Sequence, residues 1–413
     1  MMIISRSRLY LSTRPDSRAC QSGLSLIELM VALTLSLIIV AALAELYVNI
    51  SRTNQEMAKT NSQIENARFA IQFLQNDIVH AGYWGSFVPE FDDLTTINIP
   101  GDVPNQVPAP CLAYASWAGT AGYIDSLIGI PVQPYSAVPA GCGGVVANRV
   151  AGTDVLVVRH ASTCVPGEAN CEADIANNLY FQASNCEVEI DAGLPYTLDT
   201  VAGNFTRYER DCDGASGSPP SFTSGTVAAK RKFIQTIYYV RDFANTAGDG
   251  IPTLVRSQFG LNAAGTAVEH LPVEAMVQGI EGFRVEVGID SVGDIPTDVS
   301  ITPGVDYTQG VRWDDPDNLK APTNRGDGIP DGAFVHCGNT SCTAAQLTDT
   351  VAVKLWVLAR TDQATPGYTD TKTYSMGSNP VITPGPFNDS FKRHVFSTTV
   401  RINNVAGRRE TPL

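Results

Sequence analysis

Hydrophobic and polar positions divide the chain into three regimes. From Leu24 to Ala44 almost every position is apolar, and the run from Leu29 to Ala44 holds no charge, no Gly and no Pro. Roughly 20 such residues are enough to cross a bilayer as one helix. Glu28 is the exception within it. An acid inside a membrane-length segment costs roughly 2.5 to 3.5 kcal/mol on insertion scales, so it calls for a partner.

The second regime is an apolar stripe on a polar helix. Ile50, Met57, Ile64, Ile71 and Ile78 recur every seven residues, with Leu46, Ala67, Leu74 and Ala81 at companion positions and Asn, Gln, Glu, Lys and Arg between them. No proline lies between Asp16 and Val88, and no glycine between Leu24 and Ala81. A helix over residues 24–82 therefore meets no breaker for up to ~57 residues, about 85 Å, and is membrane-spanning to about residue 45. Thr53 and Thr60 interrupt the stripe where a coiled-coil partner would want apolar side chains. That favours a helix facing a sheet over a coiled-coil seam. Gly82 and Gly85 make a natural stop.

The third regime has strand period. Thr153 to His160, Asn178 to Gln182, Phe233 to Val240, Thr253 to Val255, Met276 to Val287, Val351 to Ala359 and Val395 to Ile402 read as strands. Ala247-Gly248-Asp249-Gly250-Ile251-Pro252 reads as the turn of a hairpin. The alternation in the last two strands is that of an antiparallel sheet with one covered face. Residues 86–152, rich in Pro, Gly and Ala, predict a long irregular loop.

Charge and cysteines add a compartment. The net charge is -14, and residues 1–23 carry four Arg against one Asp, so their removal would leave -17. Such a chain repels phosphate backbones, and no direct nucleic-acid partner is expected. Of nine cysteines, Cys20 alone precedes the apolar segment. The other eight read as disulfides formed in an oxidising compartment. Eight cysteines allow 105 pairings; the expectation is neighbour pairing, Cys111 with Cys142, Cys164 with Cys171, Cys186 with Cys212 and Cys337 with Cys342.

The N-terminus admits a cleaved secretory signal, a permanent anchor, or a prepilin leader cut before the apolar run. Ala42-Leu43-Ala44 has the small-residue form of a signal-peptidase site. Against it, Glu28 would sit uncompensated in the hydrophobic region, and the helical pattern runs through Ala44 unbroken. Gly23 followed by Leu24-Ser25-Leu26-Ile27-Glu28-Leu29 resembles the class III signal of type IV pilins and type II secretion pseudopilins, with Leu24 where that family usually has Phe. The resemblance implies cleavage after Gly23 by a prepilin peptidase, methylation of the new Leu24 amine, and Glu28 at the fifth mature position. There the amine supplies a cation to Glu28, within one subunit or between neighbours in a filament.

Arg68 to Ile78 with Ala81-Gly82-Tyr83 and Gly85, then Val277 to Asp290 and Thr399 to Asn404, resemble the PilW branch of minor pilins. The resemblance implies an α+β, pilin-like fold: a long N-terminal helix, transmembrane in its first half, packed on an antiparallel β-sheet with disulfide-tied loop insertions. It divides the chain into a leader at 1–23, the helix at 24–82 and a periplasmic or extracellular head at 83–413, with insertions at about 86–232 and 291–350. It implies a bacterial inner-membrane protein that passes to the pilus base or tip. Its partners would be other minor and major pilins, the prepilin peptidase, the inner-membrane assembly platform and membrane lipid.

Signatures of catalysis are missing from the sequence: it has no Walker A motif, no H-E-x-x-H and no G-x-S-x-G, and its five histidines are scattered. Neither an enzyme nor a bound cofactor is expected. His336-Cys337 with Cys342 has no second ligand pair at zinc spacing, which favours a short disulfide loop. The one candidate metal site is for calcium, in Asp314, Asp315 and Asp317 with Asp327 and Asp331 on Gly-rich turns; a solvated acidic loop is the competing account. Two further functions remain open on the sequence: a type II secretion pseudopilin, and a membrane-anchored calcium-dependent adhesin in which the helix is only a tether.

Overall fold

The computed structural model describes residues 23, 25–92, 101–215, 221–290, 327–338 and 342–409. The chain divides into two compact units, 1–57 and 58–413. A single helix, α1, runs Leu26–His80 through both. In the first unit its apolar side chains are exposed, from Leu26 to Val48.

The second unit is built on two larger antiparallel sheets and a separate two-stranded one, Asp213–Ala215 with Ser221–Ser224. Its strands are β1 (Val132–Tyr135), β2 (Val155–Ala161), β3 (Tyr180–Ala183), β4 (Tyr196–Asp199), β5 (Asp213–Ala215), β6 (Ser221–Ser224) and β7 (Lys230–Arg241). They continue as β8 (Thr253–Leu261), β9 (Val268–His270), β10 (Glu274–Gln278), β11 (Ile280–Ile289), β12 (Thr350–Arg360) and β13 (Arg393–Arg401). The larger sheet has the order β1-β2-β7-β3-β4, with β8 also on β7 and β9 and β10 on β8. Its long central strand β7 meets β3 through Lys230–Lys232 and β2 through Phe233–Tyr239. The smaller sheet is β11-β12-β13. One core joins both, with Leu156, Val158 and Tyr238 from the first, Phe283, Val353 and Leu355 from the second, and Ala67, Ala70, Leu74 and Ile78 from α1.

The buried positions of α1 follow a 3.6 period: Gln63, Ala67, Ala70, Leu74 and Ile78. Ile50 and Met57 are exposed, and Ile64 and Ile71 half-buried. The heptad stripe is thus only partly the packed face, because a straight helix drifts about 20° per heptad away from a seven-residue repeat. Between the small residues, polar side chains fix the helix against the sheets. Gln63 Nε2 donates to the Ala359 carbonyl at 2.6 Å, Gln75 Nε2 to Thr398 Oγ1 at 3.0 Å, and Asp77 accepts from Tyr238 Oη at 2.9 Å and pairs with His160 Nε2 at 2.9 Å. A one-turn slip would break all of these at once. The helix stops at Gly82, whose φ is +72°, a conformation that favours glycine. Asn404 Nδ2 then donates to the carbonyl of Ala81 at 3.1 Å, one of the acceptors the helix end leaves open.

Two expectations need correction. The single strand read from Met276 to Val287 is two strands in different sheets, β10 on β8 and β11 on β12. Gly279 makes the switch, with φ +75°, and a Cβ there would lie 2.7 Å from the Arg360 carbonyl oxygen. Residues 86–152 are also more than an irregular loop: Tyr123–Gly129 is helical, and β1 joins the sheet. Pro131 and Pro134 hide the strand signal, yet β1 pairs with β2 alone, and an edge strand tolerates proline. Tyr123, Leu127 and Ile128 pack with Trp84, Trp117, Phe181 and Phe233 in a second, aromatic core.

The carboxyl-terminal helix Asn403–Arg409 latches the head near the exit of α1. Arg408 Nη2 lies 3.0 Å from Asp92 Oδ2, and Arg409 Nη2 lies 2.6 Å from Asp349 Oδ1. Arg409 Nη1 donates to the backbone carbonyl of Asp290 at 2.7 Å. The Asp290 carboxyl is fully buried and accepts from Gly328 N at 2.7 Å. Burial pushes its pKa up to about 7, Arg409 and the Gly328 hydrogen bond opposing and the charges of Asp331 and Asp327 assisting. A carboxyl raised in the folded state loses its contribution as pH climbs from its unfolded value, about 4, through the folded one. The melting temperature is expected to fall by several degrees between pH 5 and pH 8, and Asp290→Asn to flatten that slope. A calorimetric pH series on both proteins measures it, and equal slopes would exclude Asp290 as the cause.

Candidate functional site

The amino-terminal end of α1 carries the sequence motif that points to function. Ser25 caps the helix: its backbone N donates to Glu28 Oε2 at 2.9 Å, its Oγ donates to the same oxygen at 3.1 Å, and Glu28 N donates back to Ser25 Oγ at 3.3 Å. This is a reciprocal capping box, the Ser-x-x-Glu spacing satisfying orphan donors of the first turn. The acid that the sequence marks as an anomaly is therefore folded back on the helix start. Its signal in the sequence is Ser25 and Glu28 three apart ahead of an apolar run.

Beyond Glu28 the polar groups of the apolar stretch are satisfied internally. Thr34 Oγ1 donates to the Val31 carbonyl and Ser36 Oγ to the Leu33 carbonyl, each at 2.9 Å. That is the arrangement a lipid-facing helix requires, since hydrocarbon offers no partner. Among the described residues α1 is the helix long and apolar enough to cross a membrane. Leu26, Leu37 and Ile38 are more than 60 % exposed, so this face has no cover among the described residues. Gly23 is exposed as well, and Leu24 lies outside the described residues.

The cysteines join as four neighbour pairs: Cys111–Cys142, Cys164–Cys171, Cys186–Cys212 and Cys337–Cys342. His336, beside the last pair, turns its Nε2 to Asp154 Oδ2 at 3.0 Å. Asp314, Asp315 and Asp317 lie outside the described residues. Asp327 Oδ1 accepts from Ile329 N at 2.8 Å, closing a local turn, and Asp331 N donates to the Ile289 carbonyl at 2.9 Å. No group of three or more His, Cys, Asp or Glu placed to hold a metal occurs among the described residues.

A second polar feature escaped the sequence reading altogether. Arg159 in β2 is completely buried, with Nε donating to Gln235 Oε1 at 2.7 Å and Nη1 to the Ile130 carbonyl at 2.9 Å. Gln133 and Gln235, also fully buried, donate to the carbonyls of Pro108 and Pro110 at 2.9 and 2.8 Å. These side chains pin the 107–110 segment over the sheet. They are structural.

With the helix start and the sheets described, the comparisons decide the family. Residues 237–404 match the model of type IV pilus-assembly protein W, PilW, from the middle of β7 to the start of the last helix. That stretch, 168 of the 413 residues, is similar to a PilW domain. Residues 18–44 match the prokaryotic N-terminal methylation motif, which brackets Gly23, Ser25 and Glu28. The two together mark a type IV pilus-associated pilin, and PilW is a family of assembly proteins, not of enzymes. Neither curated proteins nor solved structures give a match. The PilW match leaves out β1 to β6, the strands of the segment at 86–232, and includes both sheet-switching strands around Gly279.

Proposed function

We propose that this chain is a PilW-type minor pilin that a prepilin peptidase cleaves after Gly23 and methylates on Leu24. It then works in initiating or assembling a type IV pilus, within the priming or tip complex. Before assembly it sits in the inner membrane through the first half of α1, with the head in the periplasm. Other minor and major pilins and the inner-membrane assembly platform are its partners.

The observation that carries this reading is the pairing of a methylation motif at 18–44 with a PilW match at 237–404 on one chain, joined through an unbroken 55-residue helix. A secretory signal would end in a cleavage site, but α1 continues through Ala42-Leu43-Ala44 without a break. The PilW match favours the pilus over a secretion pseudopilin, which would share only the leader.

Gly23→Ala tests the reading directly. The expected result is an unprocessed chain, larger on an immunoblot by the 23-residue leader, in cells that no longer display pili. Normal processing and piliation in that variant would overturn the assignment.

A further inference from the structure

A groove of about 400 Å³ lies in the second unit between α1 and the start of β13. One wall is the helix face of Thr60, Gln63, Ile64 and Arg68; the other is Tyr368, Lys372, Lys392, Arg393 and the first residues of β13. Its lining holds four cations and His394 but no carboxylate. In a chain with 42 acids against 28 bases, that is a local inversion of charge. Arg393 is spent behind the wall, on Glu281, Asp370 and Asp389. Arg68 and Lys372 are not: both are exposed, and neither makes an ion pair with a described residue. Aromatic surface accompanies the charge, with Lys392 Nζ 6.0 Å from the Tyr368 ring and the rings of His394 and Phe396 4.7 Å apart.

We infer that this groove receives a carboxylate-rich segment of a neighbouring pilin subunit. Cations on a semi-open wall favour an anionic partner, and clustering one sign of charge steers and orients encounter more than it adds raw affinity. One wall is α1 itself, the helix through which the pilin reading has subunits pack, so the choice of partner rests on that reading. The net charge of -14 speaks against a nucleic acid as the occupant, because the rest of the surface would repel it.

The test uses the full chain in detergent micelles and a fluorescein-labelled octaglutamate peptide, followed by anisotropy at low salt. Binding is expected, weakened about tenfold or more in the double variant Arg68→Glu/Lys372→Glu and retained in Arg68→Lys/Lys372→Arg. Unchanged thermal melting of both variants would show that the fold is intact. No binding by the natural chain would overturn the proposal. So would equal binding by the charge-reversed variant, or tighter binding of single-stranded DNA or phosphatidylglycerol vesicles than of the peptide. This readout does not depend on leader cleavage, so a failed groove and a failed pilin reading give different results.

Discussion

Arg393→Ala is expected to destabilise the head by about 3–5 kcal/mol, the cost of removing one partner from a buried ionic network. The side chain is fully buried at the start of β13. Its guanidinium pairs with Glu281 on β11, with Asp370 Oδ2 at 2.9 Å and with both carboxylate oxygens of Asp389, at 2.7 and 2.6 Å. The Phe387 ring lies against it, 3.8 Å from centroid to guanidinium carbon. Asp370 is the group that suffers when Arg393 is gone. It is fully buried and would keep only neutral partners, among them the hydroxyls of Tyr374 at 2.9 Å and Tyr368 at 3.1 Å. A carboxylate so placed must stay charged without a cation or take up a proton, and either costs stability. Arg393→Lys is expected to recover only part of the loss, because an ammonium cannot present the planar fork that meets three carboxylates. Urea melts followed by circular dichroism measure both, and a loss below about 1 kcal/mol in Arg393→Ala would show the network to be expendable.

Such networks explain what could and could not be read from the sequence. The long helix was legible because it needs only local information: an apolar stripe at helical spacing, no breaker, and a Gly82 stop that appears where expected. The strands β12 and β13 were legible too, although only β13 keeps one open face and β12 is buried on both except at Lys354 and Trp356. The sheet switch at Gly279 was not, because Met276 to Val287 keeps strand character throughout, and nothing local says which sheet each half joins. Burial on two faces was equally hidden. Arg159 and His160 look like the polar end of a strand, yet both are buried, His160 against Asp77 of α1 and Arg159 under the segment around Ile130. Period-two reasoning assigns one face to water, and here the 104–147 segment and the helix cover both. The Arg393 network draws on β11, β13 and the loop between β12 and β13, more than a hundred residues apart. No short-range pattern encodes it.

Glu28→Gln is expected to leave leader removal intact and abolish incorporation into the pilus. The cap made by Glu28 and its proposed charge pairing can be separated on physical grounds. In the structure it completes the capping box with Ser25, and a Gln at that position can accept the same hydrogen bonds. What Gln lacks is the charge. Under the proposed cleavage after Gly23, the Leu24 amine would be a cation four residues ahead, and an acid at membrane depth costs roughly 2.5 to 3.5 kcal/mol unless such a cation meets it. Ser25→Ala makes the converse change: it removes the cap, at about 0.5–2 kcal/mol of helix stability, and keeps the carboxylate. If charge pairing drives assembly, sheared surface pili from Ser25→Ala cells should contain the protein, while those from Glu28→Gln cells should not, with both chains processed to the mature size. Loss of the protein from the pili of Ser25→Ala cells, with incorporation retained in Glu28→Gln cells, would instead assign Glu28 to holding the first turn of the helix, and the neighbour in the filament would have to be held by other contacts.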